Sequence, residues 1–210
     1  MFGIMNVEDS PFTIEYLELK LSKMKNKYQV ICKFRDAQNA VPACESGQID
    51  IVLIDVCLNA VSGLDLAKRI KENFPKIKVI IMTSMLDQSF IKRAKSSGCE
   101  GFWFKESIQT GILSILDDVA IGEKAFSEDF PEITLGNAKF EELTDAELAV
   151  LRSFAKGFTY AEVANDCHIS ENTVRYHVKN LTSKTGMHNM AKIALEAVDK
   201  RVILPGYGYT

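Results

Sequence analysis

The sequence lacks several things at once. No apolar run approaches the length that a membrane-crossing helix needs. No basic segment followed by an apolar stretch opens the chain in the manner of a secretion signal. The five cysteines (Cys32, Cys44, Cys57, Cys99, Cys167) are odd in number and form no C-x-x-C pair. They read as reduced thiols in a cytoplasmic protein rather than as a disulfide framework. The three histidines have no metal-ligand spacing to one another or to cysteine, which sets a zinc site aside. Positive charge is not in excess: 25 Lys and Arg face 28 Asp and Glu, for a net charge of −3. The composition as a whole therefore does not point to nucleic acid. There is also no glycine-rich phosphate loop and no nucleophile–base dyad, so a turnover enzyme is not expected. What is present is 210 residues, 47% hydrophobic and 25% charged. These are ordinary values for a globular protein of one large domain or two small ones.

The most informative stretch is Ile51-Val-Leu-Ile-Asp-Val-Cys57. Four apolar residues run straight into Asp55, as in a fully buried strand of a parallel sheet. Around it the pattern alternates strand and helix. Gly3 to Val7, Tyr28 to Cys32, Val79 to Met82 and Gly101 to Phe104 are the other strand candidates. Helices are expected after Ser10-Pro11, around Ala37 to Cys44, over Gly63 to Asn73, around Phe90 to Ala94, and from Ile108 to Ile121 with Ser107 as cap. In the first helix Ile14, Leu17, Leu19, Leu21 and Met24 form an apolar stripe. Five β-α repeats predict an α/β fold, a doubly wound five-stranded parallel sheet with right-handed crossovers. Glu8-Asp9, Asp55, Thr83 and Lys105 all fall at strand ends, on one edge of such a sheet, where ligands collect. Taken singly, each has an ordinary structural explanation: a helix start, a turn, a cap, a surface lysine. Their coincidence on one edge is harder to explain that way.

The residue types suit phosphoryl transfer. A carboxylate can attack phosphorus and form an aspartyl phosphate. The reaction needs charge neutralisation and positioning more than acid–base work. Glu8, Asp9 and Asp55 form a carboxylate cluster suited to Mg²⁺. Lys105 and the Thr83 hydroxyl can bind phosphoryl oxygens. On these residues the segment 1–122 resembles the receiver domain of bacterial two-component response regulators, a flavodoxin- or CheY-like fold. The resemblance implies phosphorylation of Asp55. It also implies Mg²⁺ on Asp9, Asp55 and the Cys57 backbone carbonyl, with Glu8 acting through water. Thr83 and Lys105 would then hold the phosphoryl group, and Phe102 would be the aromatic switch. Two departures are visible: Leu58-Asn59 stands where Met-Pro is usual, and Glu8 replaces the commoner Asp.

Residues 123–140 read as a linker with little fixed structure, from Ser127, Glu128, Asp129, Pro131, Gly136 and Asn137. Beyond it four helices are expected. Thr144 with Glu147 and Thr159 with Glu162 have capping-box spacing. Ser170 can cap a third helix that runs to about Thr185, and the second and third helices read as helix-turn-helix. On a helical wheel Val174, Val178 and Leu181 point inward, while Arg175, Tyr176, Lys179 and Ser183 share the opposite face. From 141 to 171 seven acids face two bases; from 172 to 201 six bases face two acids. That polarity suits one face placed on phosphates, although any solvated amphipathic helix has a charged face. The run Ile169-Ser-Glu-Asn-Thr-Val-Arg-Tyr-His-Val-Lys179, with Leu143-Thr144, Glu147 and Gly157, resembles the LuxR-type DNA-binding domain over roughly 141–205, which makes 141–210 the second domain. The resemblance implies base contacts from Arg175, Tyr176 and Lys179 and a phosphate contact from Thr173.

Together the two resemblances imply a NarL/FixJ-type regulator, phosphorylated by a sensor histidine kinase and active as a homodimer on an inverted repeat of duplex DNA. Three rivals share parts of this pattern. They are a phosphorylation-independent regulator with Asp55 silent, a flavodoxin-like enzyme with an appended helical domain, and a protein-docking module.

Overall fold

The computed structural model describes residues 1–58, 61–87, 89–127 and 131–204. Asn59, Glu128 and Asp129 of the sequence reading lie outside the described residues. Among these the chain forms two compact units, residues 1–84 with 89–127, and residues 131–204 with 85–87.

The first unit alternates as its apolar pattern dictates: β1 (Phe2–Val7), α1 (Pro11–Ser22), β2 (Tyr28–Phe34), α2 (Ala40–Cys44) and β3 (Ile51–Asp55). A small hairpin, β4 (Cys57–Leu58) and β5 (Val61–Ser62), leads to α3 (Gly63–Asn73), β6 (Lys78–Thr83), α4 (Ser89–Ser96), β7 (Gly101–Phe104), α5 (Ile112–Ile121) and β8 (Ala125–Phe126). Every residue of β3 is buried, as expected of a strand covered on both faces. The sheet runs β2-β1-β3-β6-β7-β8 and all its pairs are parallel. The chain winds outward from β1 to β2, then back through β3 in the opposite direction. The strand order therefore reverses between β1 and β3, and the carboxyl ends there border a crevice.

Three expectations need correction in this unit. The sheet has six strands, not five. The sixth, Ala125–Phe126, lies inside the stretch read as an unstructured linker and pairs with Gly101 and Phe102. Two apolar residues are too few to show a period, so only pairing with β7 reveals the strand. Helix α5 starts at Ile112 behind Gly111 rather than at Ile108. The Ser107 hydroxyl instead accepts the Thr110 N–H at 2.8 Å, closing a turn, and Ile108 is fully exposed. In α1, Leu17 and Leu21 are buried, but Leu19 is 58% exposed and joins Phe12 and Tyr16 on the outer side. The inner stripe is narrower than the sequence suggested.

The second unit opens with a hairpin, β9 (Thr134–Leu135) and β10 (Ala138–Lys139), also inside the supposed linker. Its turn is Gly136-Asn137, with Gly136 at φ 56°, a conformation that glycine adopts without strain. Gly-Asn between short strands is a hairpin signal, and flanking strands of two residues are too short to show a period. Leu135, Ala138 and Phe140 are buried in the helical core. The helices are α6 (Asp145–Ala155), α7 (Tyr160–Asp166), α8 (Glu171–Thr185) and α9 (Met190–Asp199). Both expected capping boxes form, and the Ser170 side chain accepts the Thr173 N–H. Leu148, Leu151, Val163, Val174, Leu181 and Ile193 meet in one core. His168, at φ 55°, turns the chain between α7 and α8. Among the described residues no helix is long and apolar enough to cross a membrane.

Candidate functional site

Strand register sets the first site. Val7 lies beside Ile54, Asp55 beside Met82, and Thr83 beside Phe104. The ends of β1, β3, β6 and β7 are therefore level, and they deliver Glu8-Asp9, Asp55, Thr83 and Lys105 to one edge. Carboxylate oxygens of Glu8, Asp9 and Asp55 all lie within 4.8 Å of one another. Lys105 Nζ is 2.7 Å from Asp55 Oδ1 and 2.6 Å from Glu8 Oε2. Asp55 Oδ2 accepts the backbone N–H of Cys57 at 2.8 Å, and Glu8 Oε1 accepts that of Ser10 at 3.1 Å. Glu8, Asp55 and Thr83 are buried, and Asp9 is partly exposed. The Lys105 backbone N–H donates to the Thr83 carbonyl at 2.8 Å. Phe102, in β7, is completely buried.

These groups perturb one another in a consistent direction. Burial pushes the Asp55 carboxyl above its ordinary range, and the Lys105 ammonium only partly offsets this. Burial does the same to Glu8, with the Asp55 charge adding to it. Burial disfavours the Lys105 cation, but Asp55 and Glu8 outweigh that effect and hold the amine above its ordinary value. Three carboxylates against one ammonium leave the cluster two negative charges over. Hard oxygen donors with that excess fit a divalent cation such as Mg²⁺. The sequence-derived residues are thus brought together.

In sequence Gly63 marks only a helix start. A Cβ there would come within 1.8 Å of the Asp55 carbonyl oxygen, and the Gly63 N–H donates to the Val56 carbonyl at 2.8 Å. The first turn of α3 thus presses on the backbone beside Asp55, where only glycine fits. A glycine just after a turn, on the far side of the Asp55 strand, was the available signal.

The second candidate surface is the outer face of α8. Val174 and Leu181 are buried and Val178 is half-buried, which fixes the helix's rotation. Arg175, Tyr176 and Lys179 are exposed on the other side, Tyr176 by 62%. Thr173 is half-buried, its hydroxyl 2.9 Å from that of Ser170 at the helix cap. Glu171 Oε2 lies 3.5 Å from Arg175 Nη2, one turn away. The i,i+4 spacing makes such a pair legible in sequence.

Comparison with known proteins follows the same division. Residues 4–117 match the family model of the response regulator receiver domain. Residues 141–197 match that of bacterial regulatory proteins of the luxR family. The chain is 25% identical over 180 residues to the response regulator protein VraR of Staphylococcus epidermidis, covering 83% of this chain and 86% of that one. It is 24% identical over the same length, with the same coverage, to VraR of Staphylococcus aureus. Among solved structures it resembles RcsB of Salmonella enterica serovar Typhimurium bound to a promoter in the presence of the phosphomimetic BeF3⁻. That match has a TM-score of 0.63 at 22% identity and covers 94% of this chain and 98% of that one. A structure of two RcsB dimers bound to two parallel DNAs gives 0.64 at 21%, covering 95% and 98%. With a receiver model matching more than half of its length and a luxR-family model matching most of the remainder, the chain belongs to the response regulators of two-component systems, in the NarL/FixJ-type combination of receiver and LuxR-type DNA-binding domain.

Proposed function

We propose that phosphorylation of Asp55 controls DNA binding by the helical unit, with residues 1–122 as receiver, 123–140 as connector and 141–210 as DNA-binding domain. The observation that carries this is the convergence of Asp55, Glu8, Asp9 and Lys105 at the sheet's carboxyl edge. An Asp55 carboxylate oxygen attacks phosphorus of a phosphohistidine on a sensor kinase. The P–N bond breaks, the O–P bond forms, and the imidazole recovers a proton. Asp9, Asp55 and the Cys57 carbonyl are the residues that would hold Mg²⁺ directly, with Glu8 acting through water. The ion supplies charge neutralisation for the phosphoryl oxygens. Lys105 binds one such oxygen and the Thr83 hydroxyl donates to another. The pull on Thr83 is matched by rotation of Phe102. No turnover substrate is invoked: the chain is a regulator rather than an enzyme, and it works in the cytoplasm.

On the DNA side α8 enters a major groove, with Arg175, Tyr176 and Lys179 toward base edges and Thr173 toward a phosphate. An arginine can bind guanine O6 and N7 in bidentate fashion. A two-fold homodimer then requires an inverted repeat with half-sites about one helical turn apart. The RcsB neighbours, described as dimers on DNA, support this partner and this assembly.

The test is intact mass after treatment with acetyl phosphate and Mg²⁺, followed by duplex binding on the same sample. The wild type should gain one phosphoryl group and bind more tightly, and Asp55→Asn should do neither. A full mass gain in that variant would show that another residue is the acceptor. Equal DNA binding with and without the phosphodonor would favour the phosphorylation-independent regulator.

A further inference from the structure

Arg175 is not a free-swinging cation. Its Cζ sits 4.8 Å over the centroid of the Tyr160 ring. Tyr160 is the first residue of α7, directly after the Thr159 cap, whose side chain accepts the Glu162 N–H. The ring is backed by Phe154, edge-on at 5.2 Å and 76°. Both aromatic rings pack against the helical core. The platform under Arg175 is thus built from two other helices and anchored at a cap.

We propose that Tyr160 is a positioning and specificity-determining residue, holding the Arg175 guanidinium ready to read a base. This rests on the reading of α8 as the DNA-contacting helix. Hydrogen-bond donors and side-chain entropy both favour such a platform. Attraction to an aromatic ring works through the ring's quadrupole and uses none of the five N–H donors that Arg carries. The donors needed for guanine remain available, while the long side chain loses part of its rotational freedom before DNA arrives. Less ordering then remains to be supplied on binding. Glu171 acts in the opposite sense, since its carboxylate takes an Arg175 donor. Tyr160 restrains the arginine without competing for its hydrogen bonds.

The experiment uses the full chain treated with acetyl phosphate. The probes are a duplex recovered by the wild type from a random-sequence pool, its single-base variants, and an unselected duplex of the same length, across a salt series. Arg175→Ala should relax preference at one position per half-site. Tyr160→Leu should relax the same position by roughly 3- to 10-fold, the range expected from loss of a cation–π contact and of side-chain preorganisation. Its salt slope should stay at the wild-type value, because no charge is removed. Tyr160→Phe and Tyr160→Trp keep a ring face and should retain the preference. Adding Tyr160→Leu to Arg175→Ala should change nothing further, the non-additivity of two residues acting through one contact.

A uniform loss of affinity on all duplexes in Tyr160→Leu would assign Tyr160 a merely structural role and overturn the proposal. So would unchanged preference in that variant, or loss of preference in Tyr160→Phe or Tyr160→Trp. If Tyr160→Leu does not fold, the Phe and Trp variants decide alone. If Arg175→Ala itself relaxes no position, base reading by Arg175 fails and this inference with it, and that failure is visible in the arginine variant independently of any tyrosine variant.

Discussion

Lys105 and Arg175 carry the central positive charges of their two units, and their surroundings are opposite. Lys105 is 11% exposed and sits between two buried carboxylates brought together from different strands. Arg175 is 61% exposed and meets Glu171, 50% exposed, along its own helix. The buried arrangement is positioned by sheet register and cannot relax into water. The exposed one is positioned by helix spacing and by a ring, and water competes for every hydrogen bond. Burial, more than distance, should therefore decide what each pair contributes. The pair Glu147–Lys184 in the helical unit, 2% and 34% exposed, is intermediate. Substitutions in the three pairs should rank in that order.

The largest effect is expected at Lys105. Lys105→Met removes the cation and leaves Asp55 and Glu8 buried without it. Breaking a buried pair by deleting one partner costs about 3–5 kcal/mol, and urea unfolding of the full chain without divalent ion should show a loss of that size. The same substitution takes the cluster from two to three uncompensated negative charges, so added Mg²⁺ should restore more stability to the variant than it adds to the wild type. A loss under 1 kcal/mol would place the cluster in a much wetter environment than its burial indicates. If Lys105 binds a phosphoryl oxygen as proposed, phosphoryl transfer to Asp55 should fall sharply whatever the stability.

The two sites were not equally legible in sequence. Asp55 could be found because a fully buried strand has a distinctive apolar run and because parallel strands collect their carboxyl ends. Knowing that Glu8, Asp9, Thr83 and Lys105 end strands is enough to place them together; no side-chain detail is needed. The inward face of α8 was legible for a similar reason, since Val174, Val178 and Leu181 have helical period. What escaped depended on tertiary contact without a period. The sixth strand is two residues long and exists only because β7 offers an edge. Ser107 caps a turn rather than a helix because the chain does not become helical until Ile112. Leu19 has the right residue type for the core but the wrong angle around α1. Gly63 lies against the Asp55 carbonyl and Tyr160 under the Arg175 guanidinium; a glycine after a turn can flag the first, but local sequence does not name the group across from either.

The intermediate pair can be tested through pH. Burial alone would raise the Glu147 carboxyl. The Lys184 ammonium, 2.7 Å away, and the Thr144 N–H at 2.8 Å outweigh that and hold it below its ordinary value of 4.5. A carboxylate depressed in the folded state stabilises it at pH above the unfolded value, and that contribution is lost as pH falls through the folded value. Glu147→Gln keeps an acceptor for the cap but not the charge. It should cost about 1.5–3 kcal/mol at pH 7, the range for a hydrogen bond to a charged group. The gap between wild type and variant should close progressively below pH 4.5. A gap that persists undiminished at the acid end would mean that packing, not charge, accounts for it.

The smallest stability effect belongs to Glu171. Its pair with Arg175 is exposed and 3.5 Å long, and exposed i,i+4 pairs contribute about 0.3–0.5 kcal/mol. Glu171 also lies in the first turn of α8, where a negative charge favours the helix by a few tenths. Glu171→Gln should therefore shift unfolding by less than about 1 kcal/mol. DNA binding should move the other way. The substitution weakens the hold on the Arg175 donor, because a neutral amide oxygen replaces the carboxylate, and deletes a negative charge beside the proposed phosphate-facing surface. Affinity should rise by roughly 2- to 5-fold for selected and unselected duplexes alike at low salt, and the gain should shrink as salt screens the exposed charge. Unfolding and duplex titration at two salt concentrations measure both quantities on one sample. If Glu171→Gln weakens duplex binding, the Glu171–Arg175 pair supports the arginine rather than competing for it, and the contrast between the buried and exposed cations would need another basis.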